Sequence, residues 1–301
     1  MGEDTDQVKL LLVHAHPDDE TITTGGTIAR YARAGVEVTV LTCSLGEEGE
    51  VIGDTWAHLV VDEANQLGGY RILELDRALA VLGAQPPRFL GGAGKYRDSG
   101  MAGTAAAANP RAFVNANRDE ALEAMLSVVR SVQPDVIVGY DPEGGYGHPD
   151  HQQVHSLVTE AFDLAGTDHY PDAGAPCTPR KFYWTVTGEK QLHDGIDAIG
   201  EVPDGWRMPE DGELPSVPES VVTTSIDVRA VFDLKRDALR AHATQVTVAP
   251  SGVEYALSNN IVQPILADEQ YVLVRGEPAD LDSSGRETDL FAGVLGYGVN
   301  H

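Results

Sequence analysis

Residues 8–13 (VKLLLV) and 36–43 (VEVTVLTC) are short and largely apolar, the signature of strands buried on both faces. Between them, residues 20–34 carry helical spacing and stop at Gly35. Strand, helix, glycine and strand make a βαβ unit and imply a parallel sheet. The rhythm continues: the pattern predicts helices over 56–67, closed by Gly68-Gly69, and over 77–82, then a short strand at 88–90. Residues 91–109 carry Gly, Ala and Ser without periodicity and read as a loop long enough to have a function. A helix over 119–132 leads into the strand 135–139 (DVIVG), and another helix runs from about 151 to 164. Strands follow at 182–187, 221–228 and 270–274, with a helix at 230–243. Residues 167–179 look like a surface excursion, and the acidic, Pro-rich 199–218 shows no pattern. The expectation is α/β: one domain over 1–301, with a mostly parallel core over about 8–166 and a C-terminal elaboration over about 180–290.

Charge narrows the partners. With 21 basic against 47 acidic residues, the formal charge is −26, which repels phosphate backbones and anionic lipid, so neither nucleic acid nor membrane is expected. No stretch is apolar enough to cross a bilayer, and residues 1–7 lack the basic and apolar regions of a signal peptide, so the expected location is cytoplasmic. Cys43 and Cys177 offer no disulfide framework and no C-x-x-C metal pair.

Two segments share an unusual chemistry. His16-Pro17-Asp18-Asp19 and His148-Pro149-Asp150-His151 each follow a predicted strand, where sites form in open α/β sheets. If they meet, His16, Asp19 and His151 supply two imidazoles and a carboxylate, a set suited to zinc or ferrous iron with a position left open. Asp18 is then free to act as general base, and His148 as an acid or oxyanion stabiliser with Asp150 orienting it. A lone H-x-x-H is more often a surface pair, and Asp-Asp before a helix more often mere charge complementarity. The coincidence of two such clusters at strand ends, each with Pro after His, favours the metal. His14 reads as a packed or second-layer residue, and His58, His155, His169, His193 and His301 as surface residues. A ferrous oxygenase using the same ligands is the rival from another class; those sites usually occupy β-barrels. A catalytically silent sugar-binding module would not need Asp18.

The stretches 15–20 (AHPDDE) and 147–151 (GHPDH) resemble the two signatures of the PIG-L/LmbE-like metal-dependent deacetylases, which hydrolyse N-acetyl groups from amino sugars. The likeness extends through 42–53 (TCSLGEEGEVIG), 66–72 (QLGGYRI), 90–94 (LGGAG), 97–103 (RDSGMAG), 182–186 (FYWTV), 241–245 (AHATQ) and 256–260 (ALSNN), and is nearest to the mycothiol-pathway branch. It implies a Rossmann-like sheet and one zinc per chain, with Fe2+ as the alternative, on His16, Asp19 and His151. It further implies Asp18 as base, His148 as stabiliser or acid, and Tyr146 polarising the acetyl carbonyl. Arg71, Asp98 and Glu50 would contact an amino-sugar inositol substrate. A relative acting on mycothiol conjugates at the cysteinyl amide is the rival within the family. Residues 168–179 and 199–218 depart from the pattern, and Glu20 and His242 receive no role.

Overall fold

The computed structural model describes residues 7–294; the acidic residues 1–6 and His301 lie outside them. Strand β1 (Lys9–His14), helix α1 (Asp19–Arg33) and β2 (Glu37–Thr42) form the expected βαβ unit. There follow α2 (Leu67–Leu82), β3 (Arg88–Phe89), α3 (Arg118–Val132), β4 (Val136–Tyr140), the short segment α4 (Gly144–Gly147), α5 (Pro149–Leu164) and β5 (Lys181–Val186). The C-terminal part adds α6 (Glu189–Asp197), β6 (Thr224–Asp227), α7 (Phe232–Ala241), β7 (Thr247–Val248), β8 (Glu254–Ala256), β9 (Gln263–Pro264) and β10 (Asp268–Arg275). Among the described residues, no helix is long and apolar enough to cross a membrane.

Seven strands make one sheet in the order β3-β2-β1-β4-β5-β10-β6. The first five are parallel, and β10 runs antiparallel to both β5 and β6. Successive residues of β1 serve opposite faces, as the pleat requires: Leu10 and Leu12 pack with Ile28, Val38, Leu75 and Leu79, whereas Leu11 and Val13 pack with Met125, Val129, Ile137 and Val154. Helices thus cover both faces, which is why the strands read as apolar runs rather than as alternation.

Two expectations are corrected. The expected helix over 56–67 is absent: apart from a single 3-10 turn at Ala57–Leu59, residues 56–66 are turns and irregular chain, and Leu67 already belongs to α2. The Gly68-Gly69 pair opens α2 instead of closing a helix, and the stretch 77–82 is its last turn and a half. A Cβ at Gly68 would stand 2.7 Å from Glu47 Cγ and 3.0 Å from Leu45 Cβ, so the missing side chain lets α2 start against the loop after β2. Gly83, at φ 80°, ends the helix in the left-handed conformation that a C-terminal glycine adopts freely.

The C-terminal part joins the same sheet through β5, β10 and β6, and α7 packs on α1 and α2. The small sheet β7-β8-β9 and helix α6 were not foreseen, because two- and three-residue strands carry no period and α6 buries only Leu192. Two buried ion pairs tie the elaboration down, Lys235–Glu269 at 2.7 Å and Lys181–Glu287 at 2.5 Å. Glu269 also accepts from the backbone N–H groups of Gly26 and Thr27 in α1.

Contact at Gly26 is tighter still, since a Cβ there would lie 2.5 Å from Val228 Cβ. Alanine gains about 1 kcal/mol of helix propensity over glycine, but overpacking against a β-branched side chain costs about 1–3 kcal/mol. Gly26→Ala is therefore expected to destabilise the fold, read as a lower urea midpoint at unchanged slope; a higher midpoint would contradict this packing.

Candidate active site

Strands β1 and β4 are parallel neighbours, pairing Leu10 with Val136, Leu11 with Ile137 and Leu12 with Val138. Both chains therefore leave the sheet at the same edge, and the two His-Pro-Asp segments come together in the crevice there. One nitrogen from each of His16, His148 and His151 lies within 4.8 Å of the others, and His16, Asp98 and Asp150 form a second such group. Asp19 Oδ2 stands 3.4 Å from His16 Nδ1 and 3.3 Å from His151 Nε2.

Hydrogen bonds fix how each ring is turned. His16 Nε2 donates to Asp150 Oδ2 at 3.1 Å, which turns Nδ1 toward Asp19, whose Oδ2 also accepts from the His16 backbone N–H at 2.8 Å. Asp150 is fully buried and is itself held by Ser99, which donates its backbone N–H at 3.0 Å and its hydroxyl. Asp150 was expected to orient His148; its carboxylate serves His16, and what it gives His148 is its backbone N–H. A helix start explains the exchange. His148 is the N-cap of α5, with Nδ1 accepting from the Asp150 backbone N–H at 3.2 Å. Neutral His148 consequently carries its proton on Nε2, toward Asp98 Oδ1 at 3.9 Å.

Asp18 occupies the N-cap position of α1 in a conformation rare for an L-residue, φ 122° and ψ −33°, and its side chain makes no capping bond. Such strain costs about 1–3 kcal/mol and persists only where surroundings enforce it. Its carboxylate instead meets Arg71 Nη2 at 3.0 Å. Arg71 is buried, donating also to the Gly46 carbonyl at 2.7 Å and to the Pro17 carbonyl. A Cβ at Gly46 would sit 2.0 Å from Arg71 Nη1, so glycine is required at that approach. Arg71 therefore braces Asp18 rather than pairing with Glu74, which binds Thr244.

Electrostatics favours a positive charge in the cluster. Burial lowers the affinity of His16 for a proton, yet the carboxylates of Asp98, Asp150 and Asp19 outweigh it and hold the ring well above its ordinary value. Burial likewise opposes ionisation of Asp19, but His151 and His16 keep it well below the usual carboxylate range. Asp98 is depressed for the same reason, against its burial, by His16 and by the Gly100 backbone N–H. Burial and the neighbouring His16 and His151 push His148 down to about 4. Asp18 is raised to about 6 by burial, with Arg71 opposing. His151 Nε2 is buried without a hydrogen bond of its own. An unpaired imidazole nitrogen, a second imidazole nitrogen and the carboxylate oxygen that faces both are a donor set that a divalent d-block cation satisfies when it takes the place of the proton.

The other expected residues are spread around this cluster. Tyr146 is 54% exposed, with its ring 4.9 Å from His151 and 5.9 Å from His148, which puts it on the rim. Asp98 lies inside, accepting from the backbone N–H groups of Glu48 and Gly100. Glu50 is exposed, with no hydrogen bond or ion pair to the cluster among the described residues. Sequence reasoning missed Ser99 and Tyr140. The Tyr140 ring stacks on His151 at 4.3 Å, and its hydroxyl accepts from the Ala15 N–H at 3.3 Å and lies 3.1 Å from His14 Nδ1. Its place as the last residue of β4 was the available signal. His14 is buried between Tyr140 and Thr24, and His155, half-buried, binds the Tyr140 carbonyl rather than lying free on the surface.

A mostly parallel α/β sheet with a buried, metal-capable His/Asp cluster and a braced aspartate at its strand ends defines the class at the level of architecture. Comparison with known proteins makes the class specific. The family model described as "PIG-L: GlcNAc-PI de-N-acetylase" matches residues 11–162. A protein of Rhodococcus opacus (strain B4) named 1D-myo-inositol 2-acetamido-2-deoxy-alpha-D-glucopyranoside deacetylase is 67% identical over 286 residues, 95% of this chain and 98% of that one. Among solved structures, the N,N'-diacetylchitobiose deacetylase of Pyrococcus horikoshii matches with a TM-score of 0.54 at 19% identity, over 79% of this chain and 70% of that one. The 4-carboxy-2-hydroxymuconate hydratase GalB of Pseudomonas putida KT2440 matches with a TM-score of 0.58 at 20% identity, over 92% of this chain and all of that one. Those two structures show the shared fold alone. The chain belongs to the PIG-L family and is an amide-hydrolysing enzyme.

Tyr140→Phe keeps the stacking on His151 and removes only the hydroxyl. It leaves the buried Ala15 N–H without its acceptor, so a loss of about 1–3 kcal/mol is expected in denaturant titration; an unchanged midpoint would mean that this bond contributes nothing net.

Proposed function

We propose that this enzyme removes the acetyl group from 1D-myo-inositol 2-acetamido-2-deoxy-alpha-D-glucopyranoside, releasing acetate and glucosaminyl-inositol. The observation that carries the reading is the meeting of His16, Asp19 and His151 beside the Arg71-braced Asp18, in a chain 67% identical to a relative of that name. His16, Asp19 and His151 would hold one divalent ion, zinc by the softness of the two imidazoles with a single carboxylate. When bound, that ion polarises the acetyl carbonyl and lowers the pKa of the attacking water.

The remaining work falls to the chain. Asp18, raised to about 6 by burial, is suited to take a proton from water near neutrality and return it to the departing amine. Arg71 keeps that carboxylate turned toward the cluster. The His148 Nε2–H and the Tyr146 phenol donate to the oxyanion that forms at the acetyl oxygen. Asp98, beside His16 and His148, supplies a carboxylate for the hydroxyls of the sugar; Arg71, buried against Asp18, contributes by holding that carboxylate rather than by reaching the substrate. In this reading Asp150 acts through His16, as the carboxylate of a carboxylate–histidine–metal chain.

The test is incubation of the purified protein with this substrate and with a mycothiol conjugate, with and without chelator, followed by amine detection. Release of amine from the acetamide, lost with chelator and restored by zinc, is expected; preferential cleavage of the conjugate would transfer the enzyme to the amidase branch. Asp18→Ala should lower kcat by about 10²–10⁴ with the metal retained. Unchanged turnover would remove Asp18 as the base. Asp150→Asn should weaken metal binding about 10–100-fold in competition with a chromophoric chelator, and unaltered affinity would contradict its role behind His16.

A further inference from the structure

Glu20 and His242, to which neither the motif nor the chemistry above gives a role, are both fully buried and bonded to each other, Nε2 to Oε1, at 2.8 Å. The other oxygen, Glu20 Oε2, accepts the backbone N–H of Asp18 at 2.9 Å. In a capping box a glutamate one position further along reaches back to the N-cap N–H, while the N-cap side chain bonds the helix. Here only the first half is made: Glu20 takes the backbone bond and Asp18 makes no capping bond. The Asp18 carboxylate is thereby released to Arg71 and the reaction centre.

Three contacts converge on this glutamate. Thr21 donates its hydroxyl to Oε1, which His242 also holds, and the Thr21 hydroxyl stands 3.3 Å from His242 Nε2. His242 closes α7, and the segment behind it is fixed in turn, because Thr244 donates both its N–H and its hydroxyl to Glu74 of α2. The peptide that sets the Asp18 backbone at φ 122° is thus tied through the Glu20 carboxylate to His242, 222 positions beyond Glu20 in the chain.

We infer that Glu20 and His242 are positioning residues, which hold the strained Asp18 backbone so that its carboxylate faces the site instead of capping α1. The inference rests on Asp18 being the base. It explains why the acid of the DDE run lies buried beneath the site, and it makes the C-terminal segment part of the catalytic apparatus without touching substrate. Neither residue ligates the metal, so metal content is expected to be independent of both.

The experiment is a cycle with Glu20→Leu, Glu20→Gln, His242→Phe and Asp18→Gly, measuring kcat, KM, metal stoichiometry and Tm. Glu20→Leu should lower kcat at least about 10-fold, one unit of log rate, with KM within about twofold and metal unchanged. Glu20→Gln, which keeps an oxygen for the Asp18 N–H, should recover most of that rate. His242→Phe, which removes only the buttress, should fall between them and serves as the activity variant if Glu20→Leu does not fold. Because glycine adopts φ 122° without strain, Glu20→Leu should lower Tm less in the Asp18→Gly background, by at least about 2 °C. Equal Tm losses in the two backgrounds, or wild-type kcat in His242→Phe, would overturn the inference. An active Asp18→Ala enzyme would instead overturn the base assignment, and the Tm cycle would still read the brace.

Discussion

Hydrogen bonding between β1 and β4, with Leu10, Leu11 and Leu12 opposite Val136, Ile137 and Val138, is the constraint on which the site depends. Residues 16–19 and 148–151 are remote in sequence, and only the adjacency of these two parallel strands brings their side chains into one crevice. The pairing is enforced by burial on both faces, since a slip of one residue would exchange the packing partners of Leu11 and Leu12 between helical layers. Placing the site at the strand ends costs the core nothing, because the functional groups begin where the apolar residues stop.

Concentrating Asp18, Asp19, Asp98 and Asp150 beside each other is unfavourable unless positive charge accompanies them. The fold supplies part of it through Arg71, and backbone and hydroxyl donors from Ser99 and Gly100 carry more. What is left is an elevated affinity of His16 for a proton, the response of a ring among carboxylates that a cation can also satisfy. Of the HPDH run, His148 is pushed down by burial and by His16, and the Nε2 of His151 stands 3.3 Å from Asp19 Oδ2. Solved structures with this fold include a hydratase as well as a deacetylase, so the sheet alone does not select the reaction.

The C-terminal part is more than an appendage to the parallel core. Its strands complete the sheet, Glu269 reaches the backbone of α1, and His242 and Thr244 stand against residues of α1 and α2. Helix α1 thus carries the reaction centre at its first turn and the packing of the elaboration along its length.

Much of this was legible in the sequence. The apolar runs at 8–13 and 36–43 read as strands buried on both sides, and the paired HPDD and HPDH segments pointed to a metal-capable cluster, because two sets of His and Asp side chains recur at strand ends. The extent of α2 was hidden, since Gly68-Gly69 is the usual mark of an ending, and only the closeness of Leu45 and Glu47 turns it into a beginning. Local pattern was equally silent on who pairs with whom. Asp150 sits two residues from His148 but serves His16, and Arg71 sits three residues from Glu74 but serves Asp18. The chain by itself determined which chemical groups are present and that they follow buried strands, because both are properties of short segments. The tertiary structure decided which carboxylate meets which ring, since that depends on strand order and on helix starts whose hydrogen bonds are satisfied only when distant segments have packed.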